Sequence, residues 1–306
     1  MSVTAHIFPG QGSQYVGMGR DLHDTQEAAR ALCVKADAQL GIPLSRICFD
    51  GPEETLRQTA CTQPAIFLHS MMILACVRLA EPAMVAGHSL GEYSALVAAG
   101  AMTVEDALPL VRLRGQLMQQ AGEERKGTMA ALVGLAMEDV RTVCEDAGEA
   151  GVVQPANFNS PGQVVISGSI DGVRKAMEIA RTRGAKLVKE LVVSGAFHSP
   201  LMESARDGLR AALERTPLAD ARIPVYANVT AAPVTRASEI RDLLIHQVTS
   251  PVRWEETIRA MAADGATRFV EIGPGKVLQG LVKRTIPGIE TTGIDKATEL
   301  PHPAEN

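Results

Sequence analysis

Three residues far apart in the chain carry side chains that could act together on one carbonyl compound: Ser89, Arg114 and His198. Ser89 stands in Gly87-His88-Ser89-Leu90-Gly91, the G-x-S-x-G pattern of a nucleophile elbow. Met84-Val85-Ala86 before it is apolar in the manner of a short buried strand, and the residues through Leu96 and Val97 keep helical spacing. The flanking glycines permit a turn so tight that a Cβ at Gly87 or Gly91 would collide with the neighbouring strand or helix, and the turn pushes the Ser89 hydroxyl into the open. A serine held this way can attack a carbonyl. The helix that follows offers free backbone N–H groups, with that of Leu90 placed to meet an oxyanion forming beside Ser89. The same five residues also fit a glycine-rich strand-to-helix turn whose serine does no chemistry.

Arg114 is informative because of its neighbours. Thr103, with Asp106 three residues on, caps a helix expected from Val104 to about Ala121. At roughly 100° per residue, Arg114 falls in the middle of the apolar stripe of Ala107, Leu110, Val111, Leu117, Met118 and Ala121, while Arg112 points to the opposite, solvated face. A guanidinium centred on a core-facing stripe is costly unless an anion meets it, from the protein or from a ligand. Snorkelling of its stem to the surface is the other way out. His198 lies in Ser194-Gly195-Ala196-Phe197-His198-Ser199-Pro200, with Ser199 as N-cap and Pro200 at the first helical position. That puts it on a loop between a strand and a helix, where a side chain can reach a cleft. A lone histidine there also fits a hydrogen-bonded structural role.

The elements that must position these three alternate between strand and helix. Thr4 to Pro9 reads as a strand, and Gly10 to Gly19 as a glycine-rich loop running into a helix. It is no nucleotide loop: Tyr15 stands where the dinucleotide fingerprint needs glycine, and no P-loop Lys-Ser/Thr follows. Gly273-Pro274-Gly275-Lys276 fails as a Walker motif because Val277 replaces the hydroxyl residue. Helices are expected to about Leu79, one of them starting at Thr62-Gln63-Pro64. From Gly127 the order becomes β-α-β-β-α-β: strands over 129–135, 152–157, 164–169 and 186–193, helices over 138–147 and 171–183. That order is the ferredoxin-like unit. A strand over 223–229, helices over 239–248 and 254–263 and a last buried strand over 268–272 complete the reading, and the polar segment 296–306 is expected to fray. The fold class is α/β: a large α/β-hydrolase-like domain with a mainly parallel sheet, over 1–126 and 196–306, and an inserted small ferredoxin-like domain over 127–195. The cleft between the two is where a ligand is expected.

Composition narrows the class of function. In 306 residues, 46% are hydrophobic and 21% charged, enough to bury a large core. The net charge of −5, with no Lys/Arg cluster, argues against nucleic acid as a partner. The N-terminus has neither a basic region nor a long apolar run, and the most apolar stretch, 65–77, is interrupted by His69 and Ser70, so neither export nor a membrane partner is expected. Five scattered cysteines without a C-x-x-C pair suggest neither a disulfide framework nor a metal site, and a cytoplasmic location fits.

Taken in order, Gly10-Gln11-Gly12-Ser13-Gln14, Thr62-Gln63-Pro64-Ala65, Gly87-His88-Ser89-Leu90-Gly91-Glu92, Arg114, Gly195-Ala196-Phe197-His198-Ser199-Pro200, Gln247 with Pro251-Val252-Arg253-Trp254, and Glu271-Ile272-Gly273-Pro274-Gly275 resemble the malonyl-CoA:acyl carrier protein transacylases, over about 4–295. The resemblance implies a malonyl transfer from malonyl-CoA to the phosphopantetheine thiol of acyl carrier protein, in fatty-acid or polyketide synthesis, with no cofactor besides the CoA substrate. It implies that Ser89 is the nucleophile and His198 its base, and that the N–H groups of Gln11 and Leu90 form the oxyanion hole. It further implies that Arg114 holds the malonyl carboxylate bidentately and that a backbone carbonyl near Gln247 orients the histidine in place of an acidic side chain. Gln63 and Asn157 match positions lining the family's cleft, and Phe197 resembles the aromatic residue of malonyl-selective members, which leaves too little room for a 2-methyl branch. Lys186, Lys189, Arg206 and Arg210 are candidates for a basic docking face only through their nearness to His198 in sequence.

The rival from another reaction class is a serine thioesterase or esterase of α/β-hydrolase type. Those enzymes need Ser, then Asp or Glu, then a histidine near the C-terminus. Here roughly a hundred residues follow His198, and a hydrolase leaves Arg114 unexplained. A non-enzymatic scaffold for carrier proteins is the third possibility, separated from the others by whether Ser89 becomes acylated.

Overall fold

The computed structural model describes residues 3–77 and 79–301. Its frame is a sheet of six strands: β1 (Thr4–Phe8), β2 (Met84–Gly87), β7 (Val225–Tyr226), β8 (Pro233–Val234), β9 (Arg268–Ile272) and β10 (Glu290–Ile294), in the order β10-β9-β1-β2-β7-β8. Every pairing is parallel except that of β7 with β8. Successive side chains of a strand face opposite ways, and here both faces are covered. Phe8, Val85, Val270 and Ile272 point into one apolar cluster, with the helix Thr59–Cys76. Ala5, Ile7, Met84, Ala86 and Phe269 point into another, beneath Trp254, Ile258 and Leu281.

A second sheet holds β3 (Gly127–Val133), β4 (Val153–Ser160), β5 (Gln163–Ser169) and β6 (Leu187–Glu190), antiparallel throughout, in the order β4-β5-β3-β6. The helices Met137–Asp146 and Ile170–Thr182 pack on it through Val140, Val143, Val173 and Ala176, against Ala130, Leu132 and Ile166. β4 is tied to the rest of the chain where Phe158 N–H donates to the carbonyl of Val252, just before the helix Trp254–Ala263 (2.9 Å), and Val252 N–H to that of Ala156 (2.8 Å).

Several local expectations hold. Asp106 N–H donates to Thr103 Oγ1 (3.0 Å) at the start of the helix Val104–Glu124, and Ser199 Oγ accepts from Leu201 N–H at the turn beginning with Pro200. Others are corrected. Pro64 does not start a helix: the helix begins at Thr59 and carries Pro64 inside it, after Thr62 Oγ1 has donated back to the Leu56 carbonyl (2.5 Å). Arg112 is half-buried, with its Nη1 buried, and so is not on a freely solvated face. The strand expected over 223–229 is cut to Val225–Tyr226 because Asn228 turns its backbone N–H to Glu92. The segment 296–301 is held, with Ala297 N–H donating to Asp21 (2.7 Å) and the N–H groups of Asp295 and Lys296 to Glu299; residues 302–306 lie outside the described ones. The apolar helix Thr59–Cys76 is long enough to cross a membrane by composition, yet 72% of it is buried inside the protein.

Candidate active site

The loops that follow the carboxyl ends of β1 and β2, with the helix Val277–Thr285 after β9, border one cavity of about 320 Å³, the place where open parallel sheets receive ligands. Ser89, His198, Gln11, Leu90, Gln63, Asn157 and Phe197 all line it. Arg114 and Gln247 stand just behind and reach the same point through hydrogen bonds.

The elbow is as tight as its glycines suggest. A Cβ on Gly87 would sit 1.9 Å from the Gly91 carbonyl, and one on Gly91 would sit 2.1 Å from the Phe8 oxygen of β1. Between them Ser89 adopts φ 52°, a left-handed conformation that costs a non-glycine residue about 1–2 kcal/mol. His198 does the same, at φ 57°. Non-glycine residues held there by the surrounding structure concentrate at functional sites. Asn228 fastens the serine turn, its Oδ1 accepting from Ser89 N–H (2.7 Å) and its Nδ2 donating to the Gly87 carbonyl (2.7 Å).

His198 Nε2 lies 2.8 Å from Ser89 Oγ. Its Nδ1 faces the carbonyls of Gln247 (2.9 Å) and Ser250 (3.1 Å). Carbonyls only accept, so the proton belongs on Nδ1 and the Nε2 lone pair is left for the serine. Burial, then the Arg114 charge, pushes His198 down to about 3, so the ring is neutral at pH 7. Arg114 is 1% exposed. Its Nη1 donates to Gln63 Oε1 (2.6 Å), its Nη2 to Gln247 Oε1 (2.9 Å) and Ser89 Oγ (3.1 Å), and its Nε meets no partner. The guanidinium thus keeps its charge beside the serine with amide and hydroxyl oxygens for company.

The N–H groups of Gln11 and Leu90 have no protein acceptor among the described residues, and both border the cavity. Their loops are brought close by the missing side chain of Gly10, whose Cβ would lie 2.3 Å from the His88 oxygen. Sequence reasoning overlooked Glu92 and Asn228 behind the elbow, and Asn159, whose Oδ1 meets His88 Nε2 at 2.9 Å across the two sheets. Glu92 was visible in the run Gly91-Glu92, though nothing local hinted at its partners; Asn228 gave no signal.

The model of the acyl transferase domain family matches residues 5–302. The chain is 45% identical over 297 residues, 96% of its own length, to the malonyl CoA-acyl carrier protein transacylase of Bacillus subtilis (strain 168), of which 94% is covered. The chain belongs to the malonyl-CoA:acyl carrier protein transacylase family. Among solved structures of the family, the acyl-carrier-protein-S-malonyltransferase of Bartonella henselae superposes with a TM-score of 0.93 at 42% identity, over 97% of this chain and 96% of that one. A malonyl-transacylase in complex with a type II PKS acyl-carrier protein superposes with a TM-score of 0.93 at 39% identity, over 97% of each chain. The mixed α/β architecture with its mainly parallel sheet is that of these transacylases.

Proposed function

We propose that the chain carries the malonyl group of malonyl-CoA to the phosphopantetheine thiol of an acyl carrier protein by way of an ester on Ser89. One observation carries the reading: a single hydroxyl is touched by the free lone pair of a neutral imidazole and by a buried guanidinium whose hydrogen bonds go to amide and hydroxyl oxygens and to no carboxylate. The first makes the hydroxyl a nucleophile, and the second selects an acyl group ending in an anion.

In the first half-reaction Ser89 Oγ attacks the thioester carbonyl while His198 Nε2 takes the hydroxyl proton. The oxyanion meets the N–H groups of Gln11 and Leu90. Collapse breaks the C–S bond, and the proton on Nε2 passes to the departing CoA sulfur. In the second half-reaction the carrier thiol gives its proton to Nε2, its sulfur attacks the ester, and Ser89 recovers the proton. Gln247 orients His198 through its carbonyl and Arg114 through its side chain. Gln63 steadies the guanidinium from the other side, Asn157 borders the acyl path, and Phe197 limits the room beside the malonyl methylene.

The architecture that serves this is an α/β-hydrolase-like domain of 1–126 and 196–306 with a ferredoxin-like domain of 127–195 set into it. The strand order β4-β5-β3-β6 with two helices in one apolar cluster supports that division. We place the enzyme in the cytoplasm, in keeping with a chain whose most apolar helix is spent on its own core.

Intact-protein mass after mixing with malonyl-, methylmalonyl- and acetyl-CoA, followed by carrier protein, tests the proposal. The expected result is a malonyl adduct on Ser89 that disappears when carrier protein is added and persists without it. Rapid loss of the adduct to water alone would restore the thioesterase reading.

A further inference from the structure

Glu92, the second residue of the helix Gly91–Ala98, is 3% exposed and has no part in the steps above. Its Oε2 accepts from Gln247 Nε2 (2.8 Å) and from Asn228 N–H (3.1 Å). The Oε1 of the same Gln247 accepts from Arg114 Nη2, and its backbone carbonyl accepts from His198 Nδ1. One residue therefore stands between a buried carboxyl and both functional groups, its side-chain amide joining Glu92 to Arg114 and its backbone carbonyl meeting His198. Among the described residues, the titratable groups that act on Glu92 are Arg114 from the helix Val104–Glu124 and Tyr93 beside it, with His88 of the elbow and His198 from the loop before Pro200 in the same site. Burial keeps both imidazoles and the phenol neutral. The guanidinium and the Glu92 carboxylate are what remains charged.

We propose that Glu92 is the buried counter-charge of Arg114 in the free enzyme, acts on it through the Gln247 amide, and takes up a proton from solvent when a malonyl carboxylate reaches Arg114. The inference rests on the malonyl reading of the cavity. Before binding, one cation and one anion balance. The arriving carboxylate leaves two anions for one guanidinium in a water-poor site, where an uncompensated charge is expensive. Joining one proton to Glu92 restores the balance, and burial already raises this carboxyl to about 7, so near-neutral solution can supply it. The protonated group keeps a carbonyl oxygen for Gln247 Nε2 and Asn228 N–H, which leaves the positions of Arg114 and His198 undisturbed. Acetyl-CoA brings no carboxylate and calls for no proton.

The Ser89→Ala enzyme, which binds without reacting, permits the measurement. Calorimetric titration with malonyl-CoA in two buffers of different ionisation heat, at about pH 8 where free Glu92 is mostly ionised, counts the protons taken up. Uptake approaching one proton is expected with malonyl-CoA and close to none with acetyl-CoA. Because proton and malonyl binding reinforce each other, malonyl-CoA affinity is highest below about pH 7 and falls by up to roughly tenfold per pH unit above it, until the raised bound-state value is passed. Adding Glu92→Gln, which keeps the shape and an acceptor oxygen, abolishes both the uptake and the pH dependence. Should that variant fail to fold, infrared difference spectra of the Ser89→Ala enzyme alone decide the matter, through growth of a protonated carboxylic acid band on malonyl-CoA binding. Binding without proton uptake and without that band overturns the inference, as does uptake that survives Glu92→Gln. Failure of the unaltered enzyme to become malonylated at Ser89 is a separate result, and it removes the malonyl reading together with this one.

Discussion

His198 turns its Nδ1 to the backbone carbonyl of Gln247 at 2.9 Å, so a peptide group orients this imidazole where serine hydrolases use a carboxylate. A carboxylate there would hold the imidazolium and raise its pKa. A carbonyl does so far less, and burial beside Arg114 takes His198 down to about 3. The ring is therefore neutral at every pH above that value, the form in which the proposed base takes the Ser89 proton. The rate of Ser89 acylation at saturating malonyl-CoA is expected to show no falling limb between about pH 8 and pH 5, across the ordinary histidine range. Rapid-quench measurement of the acyl-enzyme checks this. A limb centred near the ordinary histidine value would contradict the carbonyl-oriented base.

Arg114 makes an opposite kind of claim, about which acyl group is accepted. Arg114→Ala removes the cation proposed to meet the malonyl carboxylate while keeping Ser89 and His198 in place. Loss of one member of a buried charge pair costs about 2–5 kcal/mol, or roughly thirty- to several-thousand-fold. A fall of that size in kcat/KM for malonyl-CoA is expected, with acetyl-CoA acylation unchanged or improved. Equal losses for both substrates would assign Arg114 a structural role only.

These three groups were legible in the sequence because each sits in a local pattern with its own physics. Glycines mark the turn at Ser89, helical periodicity exposes the misplaced charge at Arg114, and Ser199-Pro200 sets a helix start beside His198. The rest of the site is not local. Gln63 meeting Arg114 spans 51 positions and Gln247 meeting Glu92 spans 155, and no spacing rule reaches so far. The strand β10 was missed for a different reason. Its core is Thr291-Thr292-Gly293 on the sheet edge, where only Ile294 is buried and the apolar alternation is too thin to read. Asn228 ended β7 early because its backbone N–H serves Glu92, a choice set by a partner on the distant helix Gly91–Ala98.

Gly91 is where backbone geometry and chemistry meet most tightly. Gly91→Ala drives a Cβ to 2.1 Å from the Phe8 carbonyl of a central strand, which cannot shift without disturbing the sheet. A loss of about 3 kcal/mol or more in urea denaturation is expected, with Ser89 acylation falling further than stability does because the turn that aims the hydroxyl is forced open. Gly148→Ala, with no atom within 4 Å of the added carbon, is the matched control and is expected to stay within about 0.5 kcal/mol. Similar losses for the two would show that the close approach at Gly91 is not what the turn requires.

Under the proposed function, Phe197 is the place to change the size of the accepted acyl group without touching its charge. It is 6% exposed, precedes the base, and borders the cavity with Met118, Met129 and Val165. In the proposed binding mode, a 2-methyl branch on the malonyl group adds one carbon on this side. A pocket discriminates against one carbon by about 1–3 kcal/mol, or roughly 10- to 200-fold, when its wall cannot yield. Phe197→Leu keeps an apolar, branched side chain for the core while removing the ring edge, so the wall recedes with modest loss of packing. The expected outcome is that the preference for malonyl- over methylmalonyl-CoA shrinks by about tenfold or more, mostly through faster methylmalonyl acylation. Competition between the two thioesters, read as the ratio of adduct masses on Ser89, measures it directly. An unchanged ratio in a folded Phe197→Leu protein would move the methyl-excluding wall to Met118 or Met129.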